Sequence, residues 1–167
     1  MYRMMTGLAL LLAALPAPGA QAQARDSLGV YEEWGAFRDS EIPRCYAISA
    51  ASNLTGGRSA FVSVGTWPRR DVRGQVHFRL SRAVAPSTAI TLRIGRQSFR
   101  LAGGGSDAWA QDARMDAAIV AAMRAAGAMS LSARDAGGRG FTDRYLLAGA
   151  ATAMDAATVG CSGRGRS

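Results

Sequence analysis

One histidine and two cysteines have the most versatile side-chain chemistry in this chain. His77 is the only histidine, so any Ser-His-Asp or Cys-His mechanism would have to use it. Apolar and polar residues alternate around it, which places His77 on the polar face of a strand between Val76 and Phe78. No nucleophile or metalloprotease motif accompanies it. We therefore interpret His77 as a solvated or hydrogen-bonded strand residue, and we expect a protein that is not an enzyme and needs no cofactor.

The two cysteines, Cys45 and Cys161, are far apart in the sequence. They form no C-x-x-C motif, and together with one histidine they cannot supply the four ligands of a usual zinc site. Thiols that reach an oxidising compartment tend to pair. We predict a structural disulfide between Cys45 and Cys161 and no metal site, with a free, buried Cys161 as the alternative if the chain is not exported.

The carboxylates do not form a convincing acid-base pair. Asp112 and Asp116 lie one turn apart at the start of a predicted helix, where capping and the helix dipole explain acidic residues. Glu32 and Glu33 fall in a predicted strand and would point to opposite faces. These residues predict structure rather than catalysis.

Arginine supplies the whole excess of positive charge. The chain has 20 basic residues and no lysine, with a formal net charge of +8. Scattered arginines reflect a GC-rich genome in one reading and an anion-binding surface in the other. Four of them occupy polar positions of predicted strands and would share one face if those strands form one sheet. We call this set the basic plate: Arg79, Arg93, Arg100 and Arg134.

Two interpretations of the basic plate remain open. It is an ordinary solvated face if Asp71, Asp135 and Asp143 neutralise it, because such surface ion pairs are common. Otherwise it binds an anionic partner through guanidinium groups, which grip carboxylate or phosphate in two places. Nucleic acid is not expected as the partner, because stacking aromatic residues do not interleave with these arginines.

A second candidate binding element is a short loop over residues 67–71. It contains Trp67, Arg69 and Arg70, and tryptophan and arginine are enriched at binding hot spots. This composition suits an inhibitor-like module that inserts the loop into an acidic enzyme cleft.

Short segments of period-two alternation, bounded by turn residues, predict a mostly β protein. Two helices interrupt this pattern, at residues 112–126, with Gly127 as a C-terminal cap, and at residues 149–159. Gly95 and Arg96 predict a tight hairpin. The predicted strands cover residues 30–37, 44–50, 61–66, 75–82, 90–94, 128–134 and 141–147, with a further strand around Phe99 and Leu101. The fold class is α+β: an antiparallel β-sandwich or open barrel-like sheet with one central and one C-terminal helix.

The first 24 residues have the pattern of a secretory signal peptide. A basic residue, Arg3, precedes an apolar stretch and a small-residue run that suits cleavage. The apolar stretch is shorter than a membrane span. We expect residues 1–24 to be cleaved and residues 25–167 to form a single exported β-rich domain, periplasmic or secreted, with no transmembrane span.

The order of these features resembles the bacterial invasion-associated locus B family. The segments that carry the resemblance are an early strand with Trp34, a strand with Cys45, a helix over residues 116–123, a strand over residues 128–132 and a closing segment over residues 145–154. The resemblance implies an exported, non-enzymatic, mostly β protein at the cell envelope, and it supplies no catalytic residue. The expected partner is an envelope protein or an anionic surface component. An inhibitor-like module and a hydrolase centred on His77 are the alternatives.

Overall fold

The computed structural model describes residues 25–39, 41–54 and 58–162. The predicted signal peptide, residue 40, residues 55–57 and the last five residues lie outside these ranges. The described residues form ten β-strands, each of which pairs antiparallel with its neighbours in the sheet. They are β1 (Arg25–Tyr31), β2 (Trp34–Asp39), β3 (Arg44–Ala50), β4 (Phe61–Trp67), β5 (Val72–Arg79), β6 (Ile90–Ile94), β7 (Gln97–Gly104), β8 (Asp107–Trp109), β9 (Ala128–Arg134) and β10 (Gly140–Leu146).

All ten strands belong to one antiparallel sheet, with the order β1-β2-β3-β4-β5-β8-β7-β6-β9-β10. The predicted fold class is confirmed, because the chain is mostly β with two helices. Of the two predicted architectures, the structure adopts the open sheet, which does not close into a barrel. The hairpin at Gly95 and Arg96 is also confirmed, since Ile94 pairs with Gln97 across it.

The sheet curves until the loop after β3 reaches β10. The backbone N–H of Ser52 donates to the carbonyl of Arg144 at 2.7 Å. The side chain of Asn53 donates to the carbonyl of Thr142 and accepts from the N–H of Arg144, both at 2.8 Å. These bonds satisfy part of the free edge of β10 that no strand pairs.

Two helices cover the inner face of the sheet: α1 (Ala113–Ala125) and α2 (Ala150–Ser162). Helix α1 packs on β5, β6 and β7, whereas α2 packs on β1, β2, β3 and β4. Helix α2 buries Ala150, Ala153 and Ala157, and such small side chains let a helix approach a sheet closely. The buried face of α2 also includes Met154 and Cys161.

The predicted start of α1 is confirmed, but its predicted C-terminal cap is not. Asp112 is the N-cap, and its carboxylate accepts from the N–H of Met115 at 2.8 Å. The predicted cap at Gly127 is wrong, because the helix ends at the extended residue Ala126 and the chain enters β9 directly.

Asp116 accepts from the N–H of Val76 at 2.8 Å and thereby attaches α1 to β5. Burial raises the pKa of the Asp116 carboxyl.

The predicted first strand is also wrong. Glu32 and Glu33 form the turn between β1 and β2, and Glu32 has a φ of +50°. They therefore do not lie on opposite faces of one strand. None of residues 30–34 is a glycine, proline, asparagine or aspartate that would mark a turn in the sequence.

A candidate anion-binding face

The structure places the four arginines of the basic plate on one face of the sheet, opposite the helices. Each is exposed and alternates with residues that are buried under the helices. Arg79 lies on β5, Arg93 on β6, Arg100 on β7 and Arg134 on β9. The sheet order brings β7, β6 and β9 side by side, so Arg93 and Arg100 are diagonal neighbours on adjacent strands.

The carboxylates that could have neutralised the plate bind elsewhere. Asp135 pairs with Arg82 at 3.0 Å and with Arg139 at 3.3 Å. Asp143 is buried and accepts hydrogen bonds from the N–H and hydroxyl of Ser81. The third carboxylate, that of Asp71, lies 3.9 Å from Arg73.

Only one of the four plate arginines has an acidic partner among the described residues. Arg79 donates to Asp107 at 2.6 Å. Arg134 donates to the carbonyl of Gly138 at 2.9 Å, a contact that leaves its charge uncompensated. Arg93 and Arg100 form no ion pair within residues 25–39, 41–54 and 58–162. The positive charge of the face is therefore concentrated on β6, β7 and β9.

A further arginine, Arg144 on β10, belongs to the same charged region and was missed from the sequence. Arg93 lies directly opposite Ser130 on β9, and Ser130 lies opposite Arg144. One serine therefore separates the two arginines across three strands. The signal that could have identified Arg144 is the alternation of β10, in which Phe141 and Tyr145 point inward and Arg144, at the position between inward residues, points outward.

Hydroxyl side chains form the floor between these arginines. Thr91, Ser132 and Thr142 face one another across β6, β9 and β10, and the hydroxyls of Ser132 and Thr142 are 2.9 Å apart. A shallow depression of about 850 Å³ lies over this floor, with Arg93 and Arg134 on its margin. We call this surface the arginine–hydroxyl face; it comprises Arg93, Arg100, Arg134, Arg144, Thr91, Ser130, Ser132 and Thr142.

His77 lies beside this face in a cluster of aromatic rings. Its Nε2 is 2.9 Å from a carboxylate oxygen of Asp107. Its ring stacks on Trp109 at 5.2 Å between centroids and meets the edge of Phe61 at 5.8 Å. We call Phe61, His77 and Trp109 the aromatic cluster. Among the described residues, the side-chain hydrogen-bond partner of His77 is the carboxylate of Asp107.

The predicted disulfide between Cys45 and Cys161 is present. Cys45 lies in β3 and Cys161 near the end of α2, and both are buried. The bond joins residues 116 positions apart and holds the end of the last helix against the sheet. Its position on the inner face separates it from the arginine–hydroxyl face.

The predicted binding loop is a short turn between β4 and β5, two strands that contribute no residue to the arginine–hydroxyl face. Pro68–Arg70 forms one turn of 3₁₀ helix, with Arg69 and Arg70 exposed. Trp67 is partly buried, because its ring packs over Gly65 and lies 5.8 Å from the guanidinium of Arg44. Of the three predicted contact residues of this loop, Arg69 and Arg70 are therefore exposed, and Trp67 is not.

The fold defines an α+β protein built on one open antiparallel sheet, and its outer surface carries the candidate site. Comparison of the chain with family models, curated proteins and solved structures returns no match at all. In the parts of the chain that the structure describes, no group of three potential metal ligands occurs. Neither of the two described helices is long and apolar enough to cross a membrane.

Proposed function

We propose that this protein is a non-catalytic binding protein of the bacterial cell envelope, exported to the periplasm or beyond, that binds an anionic surface component. The export pattern of residues 1–24 and the resemblance to the invasion-associated locus B family support the location. The Cys45–Cys161 disulfide fits an oxidising compartment.

The observation that carries the binding proposal is a set of arginines that have no carboxylate partner within the described part of the chain and that surround a floor of hydroxyls. Guanidinium groups bind carboxylate, sulfate or phosphate through paired, charge-assisted hydrogen bonds. Hydroxyls of Ser130 and Thr91 between them add donors that suit the same oxygen atoms. Charge on an open sheet face attracts a polyanion strongly at low salt and weakly at high salt.

A charge-matched pair of double variants tests this proposal with inorganic polyphosphate as the probe. Arg93→Gln with Arg144→Gln removes two charges from the arginine–hydroxyl face, and Arg69→Gln with Arg70→Gln removes two from the turn between β4 and β5. We expect the first variant to weaken polyphosphate binding by about tenfold or more and to reduce its salt dependence. Equal effects of the two variants, or salt-independent binding, would reject the proposal.

Crosslinking in bacterial cells at low and high salt examines the natural partner. Salt-sensitive capture of anionic surface material, lost in the Arg93→Gln, Arg144→Gln variant, supports the proposed function. Capture of one discrete envelope or secreted enzyme supports the inhibitor-like alternative instead. That alternative rests on the exposure of Arg69 and Arg70 on the turn between β4 and β5, and it predicts that their double variant loses the captured enzyme.

A further inference from the structure

The most exposed aromatic ring of the aromatic cluster borders the arginine–hydroxyl face. Trp109 is 39% exposed, although tryptophan is usually buried. The ring of His77 stacks against it with an interplanar angle of 27°, and Phe61 supports His77 from the other side. On β7, the residue directly opposite Trp109 is Ala102, whose methyl group covers little of an indole. Trp109 is therefore held in place while part of its ring stays open to solvent.

The strand register connects this ring to the arginines without a gap. Arg100 lies two residues from Ala102 on β7, and diagonal neighbours on antiparallel strands are about 7–8 Å apart. The side-chain amide of Gln111, two residues after Trp109, donates to the backbone carbonyl of Arg100 at 2.8 Å. Arg100 in turn lies opposite Thr91 in the hydroxyl floor. An extended ligand can therefore contact the indole and the arginines together.

We propose that the anionic ligand is an acidic polysaccharide, with one sugar ring packed on Trp109 and its charged groups bound by the arginine–hydroxyl face. This inference rests on the proposed function and specifies its ligand class. The C–H bonds on one side of a pyranose ring carry partial positive charge, which the electron-rich face of an indole attracts. Uronate carboxylates or sulfate esters suit Arg93, Arg100 and Arg144, while sugar hydroxyls suit the serine and threonine floor.

Two features favour a glycan over single-stranded nucleic acid. Proteins that bind single strands usually present several aromatic rings on which successive bases stack, whereas Trp109 is the one strongly exposed ring of the aromatic cluster. The carboxylate of Asp107, which is bound to His77 and Arg79, lies beside that ring. This carboxylate can accept hydrogen bonds from the hydroxyls of a sugar ring packed on the indole.

Binding of polygalacturonate, a polymer of uronate sugars, compared with inorganic polyphosphate separates the sugar contact from the charge contact. We expect Trp109→Ala to weaken polygalacturonate binding by about tenfold while polyphosphate binding changes by less than about twofold. Polygalacturonate should also alter the tryptophan fluorescence of the protein. That change should vanish in Trp109→Phe and persist in Trp67→Phe, the matched control, while thermal unfolding verifies that each variant is folded.

The outcomes distinguish this inference from the proposed function. If polyphosphate binds through Arg93 and Arg144 but polygalacturonate does not bind, or binds without involving Trp109, the glycan inference is overturned and anion binding stands. If neither polymer binds, both fail. If oligo(dT) binds more tightly than polygalacturonate and Trp109→Ala abolishes that binding, the ligand is nucleic acid and the glycan inference is again overturned.

Discussion

At the scale of single residues, the presence or absence of a carboxylate partner determines whether the charge of an arginine is available to an anionic ligand. Arg79 occupies the same face as Arg93 but donates to Asp107, which also accepts from His77. Arg93 has only Ser130 and Ser98 directly opposite it, and neither can neutralise its charge. Similar positions in alternating strands therefore differ in charge compensation, because an acidic residue lies beside Arg79 and none lies directly opposite Arg93.

Asp135, in contrast to Arg93, has partners of opposite charge, because it pairs with both Arg82 and Arg139. This arrangement gives a prediction with a defined pH dependence. The N–H of Arg139 and then the guanidinium of Arg82 lower the pKa of the Asp135 carboxyl below its usual value of 3.8. A lowered pKa in the folded state stabilises the protein above pH 3.8, and this stabilisation is lost as the pH falls through the folded-state value. Asp135→Asn should lower Tm at pH 7, and the difference from wild type should shrink at low pH.

Asp71→Asn is the control for this measurement. Asp71 is exposed, and its ion pair with Arg73 is long, at 3.9 Å, so removing its charge should change stability little. Thermal unfolding followed by circular dichroism from pH 7 to acidic pH compares the three proteins. A Tm difference for Asp135→Asn that stays constant with pH would contradict the assignment.

At the scale of elements, the three-residue strand β8 connects the two halves of the sheet. It pairs with β5 on one side and with β7 on the other. Its residues Asp107 and Trp109 both contact His77. A strand of three residues thus joins the halves and also positions the exposed indole.

The close approach of β7 to β8 needs glycine at position 103. A Cβ at Gly103 would collide with the backbone carbonyl of Asp107 and lie 2.9 Å from the Cα of Ala108, whereas one at Gly104 would meet nothing within 4 Å. Gly103→Ala should therefore destabilise the protein by about 1–3 kcal/mol and weaken polygalacturonate binding by moving Trp109. Gly104→Ala is the matched control and should have little effect. Denaturant unfolding and fluorescence titration measure both, and equal behaviour of the two variants would refute this role for β8.

At the scale of the whole molecule, the two faces of the sheet have different tasks. The inner face binds both helices and contains the disulfide, while the outer face carries the aromatic cluster and the arginine–hydroxyl face. Loss of the disulfide should therefore affect stability much more than anion binding.

Replacing both cysteines tests this separation. Cys45→Ser with Cys161→Ser should lower the free energy of unfolding by about 2–5 kcal/mol, because the bond closes a long loop and constrains the unfolded chain. Chemically reduced wild-type protein should be destabilised to a similar extent. Polyphosphate affinity, measured at a temperature where the variant is folded, should be unchanged. A large loss of affinity in the folded variant would show that the faces are not independent.

Local patterns in the sequence determined much of this architecture. Strands β3, β6 and β9 were predicted with their observed bounds, because alternation directly reflects burial on one side of a sheet. The Asp112 cap of α1 and the pairing of the only two cysteines were predicted for equally local or compositional reasons. The export pattern and the family resemblance remain predictions.

Only the tertiary structure decided how the outer face is assembled. Strand β8 is too short to show a period, and the pairing of Asp107 with His77 spans 30 residues of sequence. The turn at Glu32 was not recognised, because none of residues 30–34 is a typical turn residue. Strand order placed Arg144 one serine away from Arg93, which no local pattern could reveal. Burial periodicity is a local property of the chain, whereas charge compensation and convergence depend on which strands become neighbours.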